Sequence, residues 1–415
     1  MTDSTRRELL RSIGLGAAAT AAGGFGAWTV LGGQTPTRAA AAANPPVRIA
    51  LAATDGHMTL PGRPPVYIFG FIPVPQAMSV GQLTNTYKGK AQHVSPILDV
   101  RQETDLYLTL TNLGLVGRPD LTDSHTVHWH GFRTPSALFD GVPEMSVAVP
   151  IERQFTYFYR PHNPGTYMYH CHFEDVEHVQ MGMTGIVFVR PSQDGDSGWD
   201  PLHRTTTFAY NDEDGSTAYD RHFAILLNEV EERQHEADEQ IQEFIPTEYD
   251  PAYFTLNGRV YPQTVLVNAD PTLPSQPISA LIQVNPGDRA LLRLANLGYQ
   301  QHAMQLPGIA MKVIGEDATL RRSPAGVDTS YWTNTLYIGP GEARDVLFTA
   351  PPFNPSAPTA TDGHGRTYNT YLFKNRDFRR LSNGGAPGLG GMATEVRVYQ
   401  GSPLPAQTVV GQTYA

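Results

Sequence analysis

Fourteen histidines and a single cysteine carry most of the chemical potential of this 415-residue chain. Six of those histidines fall in two short segments. The first reads His125-Thr126-Val127-His128-Trp129-His130-Gly131. The second reads Tyr167-Met168-Tyr169-His170-Cys171-His172-Phe173, followed by His178 and Met183. On an extended strand, residues at i and i+2 share a face and stand about 6.6 Å apart along the chain. His128 and His130 therefore point one way together, as do His170 and His172, while Cys171 points the other way. His125 has the opposite parity to His128 and joins Cys171 if the strand stays regular.

Two clusters set back to back follow from this parity. His125, Cys171, His178 and Met183 form one, and His128, His130, His170 and His172 the other. Two imidazoles, a thiolate and a weak thioether form a ligand set that suits copper, because soft sulfur favours Cu(I) and imidazole serves both oxidation states. Four imidazoles on the opposite face offer a place for further copper. The peptide bonds from Cys171 to His170 and His172 would then be a short covalent path for electrons. Zinc is the rival metal, and it accounts for His and Cys but for neither the methionine nor the two-sided arrangement. Met181 is an alternative axial ligand to Met183, and either methionine also suits plain core packing. His57, His93, His162, His203, His222, His235 and His364 read as solitary surface histidines without a ligand role.

The elements that must position these residues are strands. Val47–Ala52, Thr104–Asn112 and Gly185–Arg190 alternate apolar and polar side chains, the period of half-buried strands, between closely spaced Pro and Gly. That punctuation favours β-sandwiches over βαβ units. The polar stretch Pro191–Asp200 reads as a linker between two β domains. Only Asn228–Glu243 reads as a helix, capped by Asn228 and lying on the surface. Ile282–Asn296 echoes Leu98–Asn112: each is a strand, a polar turn, an alternating strand and a final Asn. A His-led segment follows each copy, His125–His128 and His302–Gln305, which predicts a duplicated domain.

Lys plus Arg number 30 against 40 Asp plus Glu, a net charge of −10, which excludes a basic nucleic-acid footprint. One cysteine excludes an internal disulfide framework. Residues 1–44 read as a twin-arginine export signal, with Arg6-Arg7 before a Gly/Ala-rich apolar stretch and an Ala-rich exit. The expected location is secreted or periplasmic, without stable membrane insertion.

Taken together, His125-x-x-His128-x-His130, His170-Cys171-His172, His178 and Met183 resemble the multicopper oxidases. The similarity is to the two-domain, laccase-like branch related to copper nitrite reductases, and it spans roughly residues 45–402. Phe254–Pro262 also resembles the second-domain signature of that family. The resemblance implies an all-β fold of two cupredoxin-like Greek-key β-sandwich domains, at 45–195 and 196–415. It implies a type 1 copper on His125, Cys171, His178 and Met183. It further implies that His128, His130, His170 and His172 supply half of a trinuclear, oxygen-reducing cluster, with Cys171, His170 and His172 as the catalytic electron path. In the family the other half comes from a second cupredoxin domain, which in two-domain members belongs to the neighbouring subunit of a homotrimer.

The second half of this chain departs from that pattern. Gln305 and Pro307 stand where ligands are expected, and Tyr371–Asp377 contains no histidine, with Lys374 and Arg376 in their place. A completing ligand would have to be an unforeseen one such as His302 or His364. Nitrite reductases place an Asp where this chain has His128, so nitrite reduction ranks below oxidation. The expected function is a laccase-like oxidation of a phenol, an aminophenol or a metal ion, coupled to O2. The rival is a non-catalytic blue-copper carrier or copper-binding protein.

Overall fold

The computed structural model describes residues 45–196, 198 and 205–414. The export-signal expectation and His203 lie outside them. The alternating segments form two antiparallel-rich sandwiches. In the first, β1 (Val47–Met58), β2 (Val66–Pro73), β3 (Leu98–Arg101), β4 (Leu106–Asn112), β5 (His128–His130), β6 (Gln154–Tyr159), β7 (Gly165–His170) and β8 (Thr184–Arg190) make two sheets, ordered β2-β1-β4-β6 and β3-β8-β7-β5. A helix, α1 (Val80–Tyr87), follows β2, and a second, α2 (Asp175–Met181), lies between β7 and β8.

The second sandwich begins with β9 (Arg221–Val230), helix α3 (Glu232–Glu239), β10 (Tyr253–Leu256), β11 (Ile282–Val284), β12 (Arg289–Asn296) and β13 (His302–Gln305). It continues with β14 (Met311–Glu316), β15 (Thr319–Leu320), β16 (Tyr331–Thr333), β17 (Thr335–Ile338) and β18 (Ala343–Thr349), and ends with β19 (Thr359–Thr361), β20 (Thr367–Asn375) and β21 (Ala393–Tyr399). Its sheets repeat the first sandwich's plan as β10-β9-β12-β18 and β11-β21-β20-β13, with β14 and β17 extending the edges. Parallel pairing of β1 with β4 recurs as β9 with β12, and that of β3 with β8 as β11 with β21. The duplication predicted from the two Asn-terminated strands is therefore present in the strand pairing.

Those asparagines explain why the motif repeats. Asn112 Nδ2 donates to the carbonyls of Asp123 and Val149, and its Oδ1 accepts from Gly114 N. Asn296 does the same with Gln300, Ile338 and Gly298 N. Each clamps the loop that leads into a His-led segment, satisfying backbone groups that a buried loop would otherwise leave orphaned.

The first core packs Leu51, Phe69, Leu108, Trp129, Tyr159 and Val187 around Cys171, and the second packs Ile225, Leu292, Met304, Val346 and Val396. Met168, Ile186 and Phe188 on the outer face of β7 and β8 meet Leu226, Ala295 and Ala343 of the second sandwich, so the sheet carrying the histidine motif is covered from behind. No helix among the described residues is long and apolar enough to cross a membrane.

Local expectations need correcting at three places. The helix expected over Asn228–Glu243 begins at Glu232 and ends at Glu239, with Glu231 at its N-cap, while Asn228 and Glu229 finish strand β9. Glu229 belongs to a strand because its buried carboxylate accepts from Tyr299 N and Gln300 N. His93 and His235 are fully buried rather than superficial.

Candidate metal centre

His170 ends β7 and Cys171 leaves it. The register pairs His128 with His170 and His130 with Met168. His125 stands outside β5, held by a two-bond bridge to Val149, so no single regular strand runs from 125 to 130. The outcome expected from parity holds nonetheless, because the bridge turns His125 towards the thiol.

His125, Cys171 and His178 are each 0% exposed. Cys171 Sγ lies 3.2 Å from His178 Nδ1 and 3.9 Å from His125 Nδ1, and the three ligating atoms fall within 4.8 Å of one another. Thr126 N donates to the sulfur at 3.4 Å, an arrangement that favours thiolate. His178 comes from helix α2. That helix stops at Gly182, whose φ of 117° and close packing admit no side chain: a Cβ there would sit 2.6 Å from His93 Nδ1. The turn brings Met183 back beside the cysteine, where Cys171 N donates to Met183 O at 3.1 Å. Met183 is fully buried in the same apolar cluster as Cys171, as is Met181.

Burial pushes the His178 ring towards losing its proton, yet the Cys171 sulfur and the Asp123 carboxylate outweigh it and raise its pKa to about 10. His125, by contrast, is held well below the usual imidazole range by burial and by His178. Both rings turn Nδ1 towards the sulfur; His125 Nε2 has no hydrogen-bond partner, and His178 Nε2 faces the Asp123 carboxylate at 3.7 Å.

On the opposite face, His128, His130 and His170 bring their ligating atoms within 4.8 Å of one another. His172 joins them, its ring centroid 5.1 Å from that of His128 and 5.5 Å from that of His170. His128 Nδ1 donates to the Asp140 carbonyl at 2.6 Å and His170 Nδ1 to the Cys171 carbonyl at 2.8 Å. Each bond fixes the ring proton on Nδ1 and leaves the Nε2 lone pair free to bind a metal, the outer-shell arrangement that metal-binding histidines require. Burial depresses the proton affinity of all three rings, that of His170 to about 3, so they stand as uncharged ligands at neutral pH. The second sandwich reaches this face through Gly341, where a Cβ would lie 3.1 Å from His130 Nε2.

Both donor sets fit copper: one is sulfur-containing, dry and shaped around one ion, the other all-imidazole. His125 and His178 gather at the Cys171 sulfur and His128, His130, His170 and His172 on the opposite face, while Met183 packs in the apolar cluster around the thiol. His302 does not join the imidazole cluster. It is fully buried in the second sandwich, beside Glu229, Asn375 and Arg380. Gln305 pairs with Lys374 in the register that His128 and His170 occupy in the first sandwich, which places non-ligands at both positions.

Three residues near the sites escaped the sequence reading. Asp123 Oδ2 lies 3.7 Å from His178 Nε2, and Glu177 shares that group. Asp140 orients His128 through its backbone, which no side-chain pattern reports. For Asp123 the signal was its place two residues before His125.

Two multicopper oxidase family models match, over residues 79–194 and 233–357, together more than half of the chain. A stretch of 74 residues is 40% identical to Laccase-1 of Emericella nidulans, covering 17% of this chain and only 11% of that laccase. Among solved structures, the blue copper oxidase from Nitrosomonas europaea aligns with a TM-score of 0.60 at 22% identity, covering 86% of each chain. The copper nitrite reductase from Nitrosomonas europaea aligns with a TM-score of 0.55 at 16% identity, covering 88% of this chain and 97% of that one. At such identities these two likenesses speak to the two-sandwich fold alone. With both family models matched in order along one chain, the protein belongs to the multicopper oxidase family, whose cofactor is copper.

Proposed function

We propose that the chain is an exported, laccase-like oxidase that takes single electrons from a phenol, an aminophenol or a reduced metal ion and passes them to O2. The observation that carries this reading is the position of Cys171, its sulfur against His125 and His178 while its two neighbours face the imidazole cluster. When bound, copper supplies reversible one-electron chemistry at both sites. His125, Cys171, His178 and Met183 would hold one ion, and His128, His130, His170 and His172 the further copper.

The protein's own groups set the rest. Cys171 offers a covalent route between the two faces through its peptide bonds to His170 and His172. The Nε2 edge of His178 lies beneath Asp123 and Glu177, and Glu177 also lines a cleft of about 380 Å³ whose walls mix the carboxylates of Glu174, Asp175 and Asp238 with the apolar Val176, Phe244 and Pro246. Carboxylates concentrate cations and repel anions. This supports a metal ion or a protonated aminophenol as donor ahead of an anionic one.

Export by the Arg6-Arg7 signal belongs to the same proposal, as does a head-to-tail trimer. Tyr337 and Phe378, 62% and 84% exposed beside the second sandwich's β13 and β20, support such a docking face. In that assembly the neighbour would offer Gln305, Pro307, Lys374 and Arg376 rather than imidazoles, so the four histidines of one chain are the whole donor set of the second site. That deficit favours one second reading, a single-copper electron carrier. Oxygen uptake by the copper-loaded chain with ferrous ion and with a neutral methoxyphenol decides between them. Uptake with two or more coppers per chain supports the oxidase. Donor oxidation without oxygen uptake, at one copper per chain, replaces it with the carrier.

A further inference from the structure

The strand register aligns the two sandwiches residue by residue around their His-led segments. Gln305 opposite Lys374 matches His128 opposite His170. Asn375 therefore stands where the first sandwich has Cys171, and His302, three residues before Gln305, stands where it has His125. The backbone agrees: Asn375 N donates to Met392 O at 2.9 Å, as Cys171 N donates to Met183 O at 3.1 Å. Side chains agree as well. Asn375 Nδ2 lies 3.2 Å from His302 Nδ1 and 3.3 Å from Met392 Sδ, and all three residues are fully buried.

One corner differs. Where the first pocket is closed by the imidazole of His178, the second receives Arg380, whose guanidinium nitrogen is 2.8 Å from His302 Nδ1 and also donates to the Gln301 carbonyl. Two N–H donors thus converge on His302 Nδ1, which places the ring proton on Nε2, 2.6 Å from Glu229 Oε1. Glu229 also accepts from Tyr299 N and Gln300 N at 2.8 and 3.2 Å. The fixed cation of Arg380 balances the buried Glu229 carboxylate, which faces His302 Nε2 as a charge partner.

We propose that this pocket is a latent mononuclear transition-metal site, kept closed by Arg380 in the cation's place and by an amide at Asn375 where a thiolate would bind. The nitrogen lone pair a metal would take is occupied by the protein's own N–H groups, so the wild-type second sandwich takes up no metal there. This goes beyond the proposed oxidase function and does not depend on it.

The test uses the full chain in a Cys171→Ser background, in which the first pocket has no thiolate. Asn375→Cys combined with Arg380→His is loaded with Cu(II) and, separately, with Co(II). The expected result is a thiolate-to-metal absorption absent from Cys171→Ser alone, with one further metal bound per chain after dialysis. Asn375→Cys alone, which keeps Arg380, should bind at least tenfold more weakly. The proposal is overturned if the folded double variant gains neither band nor metal, or if the single variant binds as tightly as the double. Should the double variant not fold, Arg380→Ala in the same background decides. Co(II) uptake that perturbs the His302 ring resonances, and is absent when Arg380 is present, supports the latent site; no uptake overturns it.

Discussion

Replacing Cys171 by serine separates what the sulfur does for the metal from what it does for the fold. The thiol is fully buried and its one backbone donor is Thr126 N at 3.4 Å. A serine oxygen can accept the same bond, so the change costs the fold only about 1 kcal/mol. The metal loses far more. Copper at about a thousandfold excess over its Kd stabilises the folded chain by roughly 4 kcal/mol. For a domain of about 150–250 residues that is roughly 8–16 °C in Tm. Losing the thiolate should weaken binding at least about a hundredfold, since even supporting residues of a metal site contribute about 10- to 100-fold. The copper-induced rise in Tm should then shrink to roughly 3–6 °C. Thermal unfolding with and without copper, recorded beside the visible spectrum, reads both effects. The variant should lose its blue colour and its oxidase activity, and most of its copper-dependent Tm gain, while its metal-free Tm stays within a few degrees of wild type. A serine variant that stays blue or active, or that keeps the full Tm gain, refutes the assignment of Cys171 as ligand.

Other perturbations address the remaining parts. His170→Ala should lower copper content by at least one ion per chain and abolish oxygen uptake while leaving the blue band in place, which metal analysis and an oxygen electrode check together. Asp123→Asn should raise KM for ferrous ion roughly 5-fold, the equivalent of about 1 kcal/mol for one partly screened charge pair, and leave a neutral phenol nearly unaffected. Asp194 supplies a pH test away from both sites. Burial raises its pKa from 3.8 to about 6, its Oδ1 accepts from Phe208 N at 2.8 Å, and its Oδ2 has no partner. The folded state therefore binds more protons than the unfolded one between about pH 4 and 6, and stability falls as pH rises through that window. Asp194→Asn should flatten this slope and raise stability at pH 7 by about 2 kcal/mol, with little change at pH 3.5; unfolding at the two pH values measures it.

Much of the site was legible because strand parity is a local rule. Parity sets His128 with His130, and His170 with His172, whatever the rest of the fold does, and turns the thiol away; the pairing of β5 with β7 then puts the two pairs on one face. The duplicated fold was legible through Asn112 and Asn296, because each clamps the same loop with the same three bonds. Failures came where tertiary partners overrule local pattern. Asn228 and Glu229 read as the start of a helix because they are polar. They finish a buried strand because the Glu229 carboxylate accepts from two backbone N–H groups and faces His302. His93 and His235 resembled surface residues for want of neighbours in sequence, and lie buried between segments far apart in the chain. The closure of the second pocket was visible only in part: the missing histidines could be read directly, whereas the guanidinium of Arg380 over His302 is a long-range contact.

One thiol and six imidazoles, on two faces of a single strand end, are proposed to hold redox copper. Metal analysis of the purified chain together with its visible and electron paramagnetic resonance spectra tests this most directly. Two or more coppers per chain are expected, with an intense thiolate-to-copper(II) band. A colourless chain holding zinc, or one whose thiol reacts freely with an alkylating reagent in the presence of copper, would contradict it.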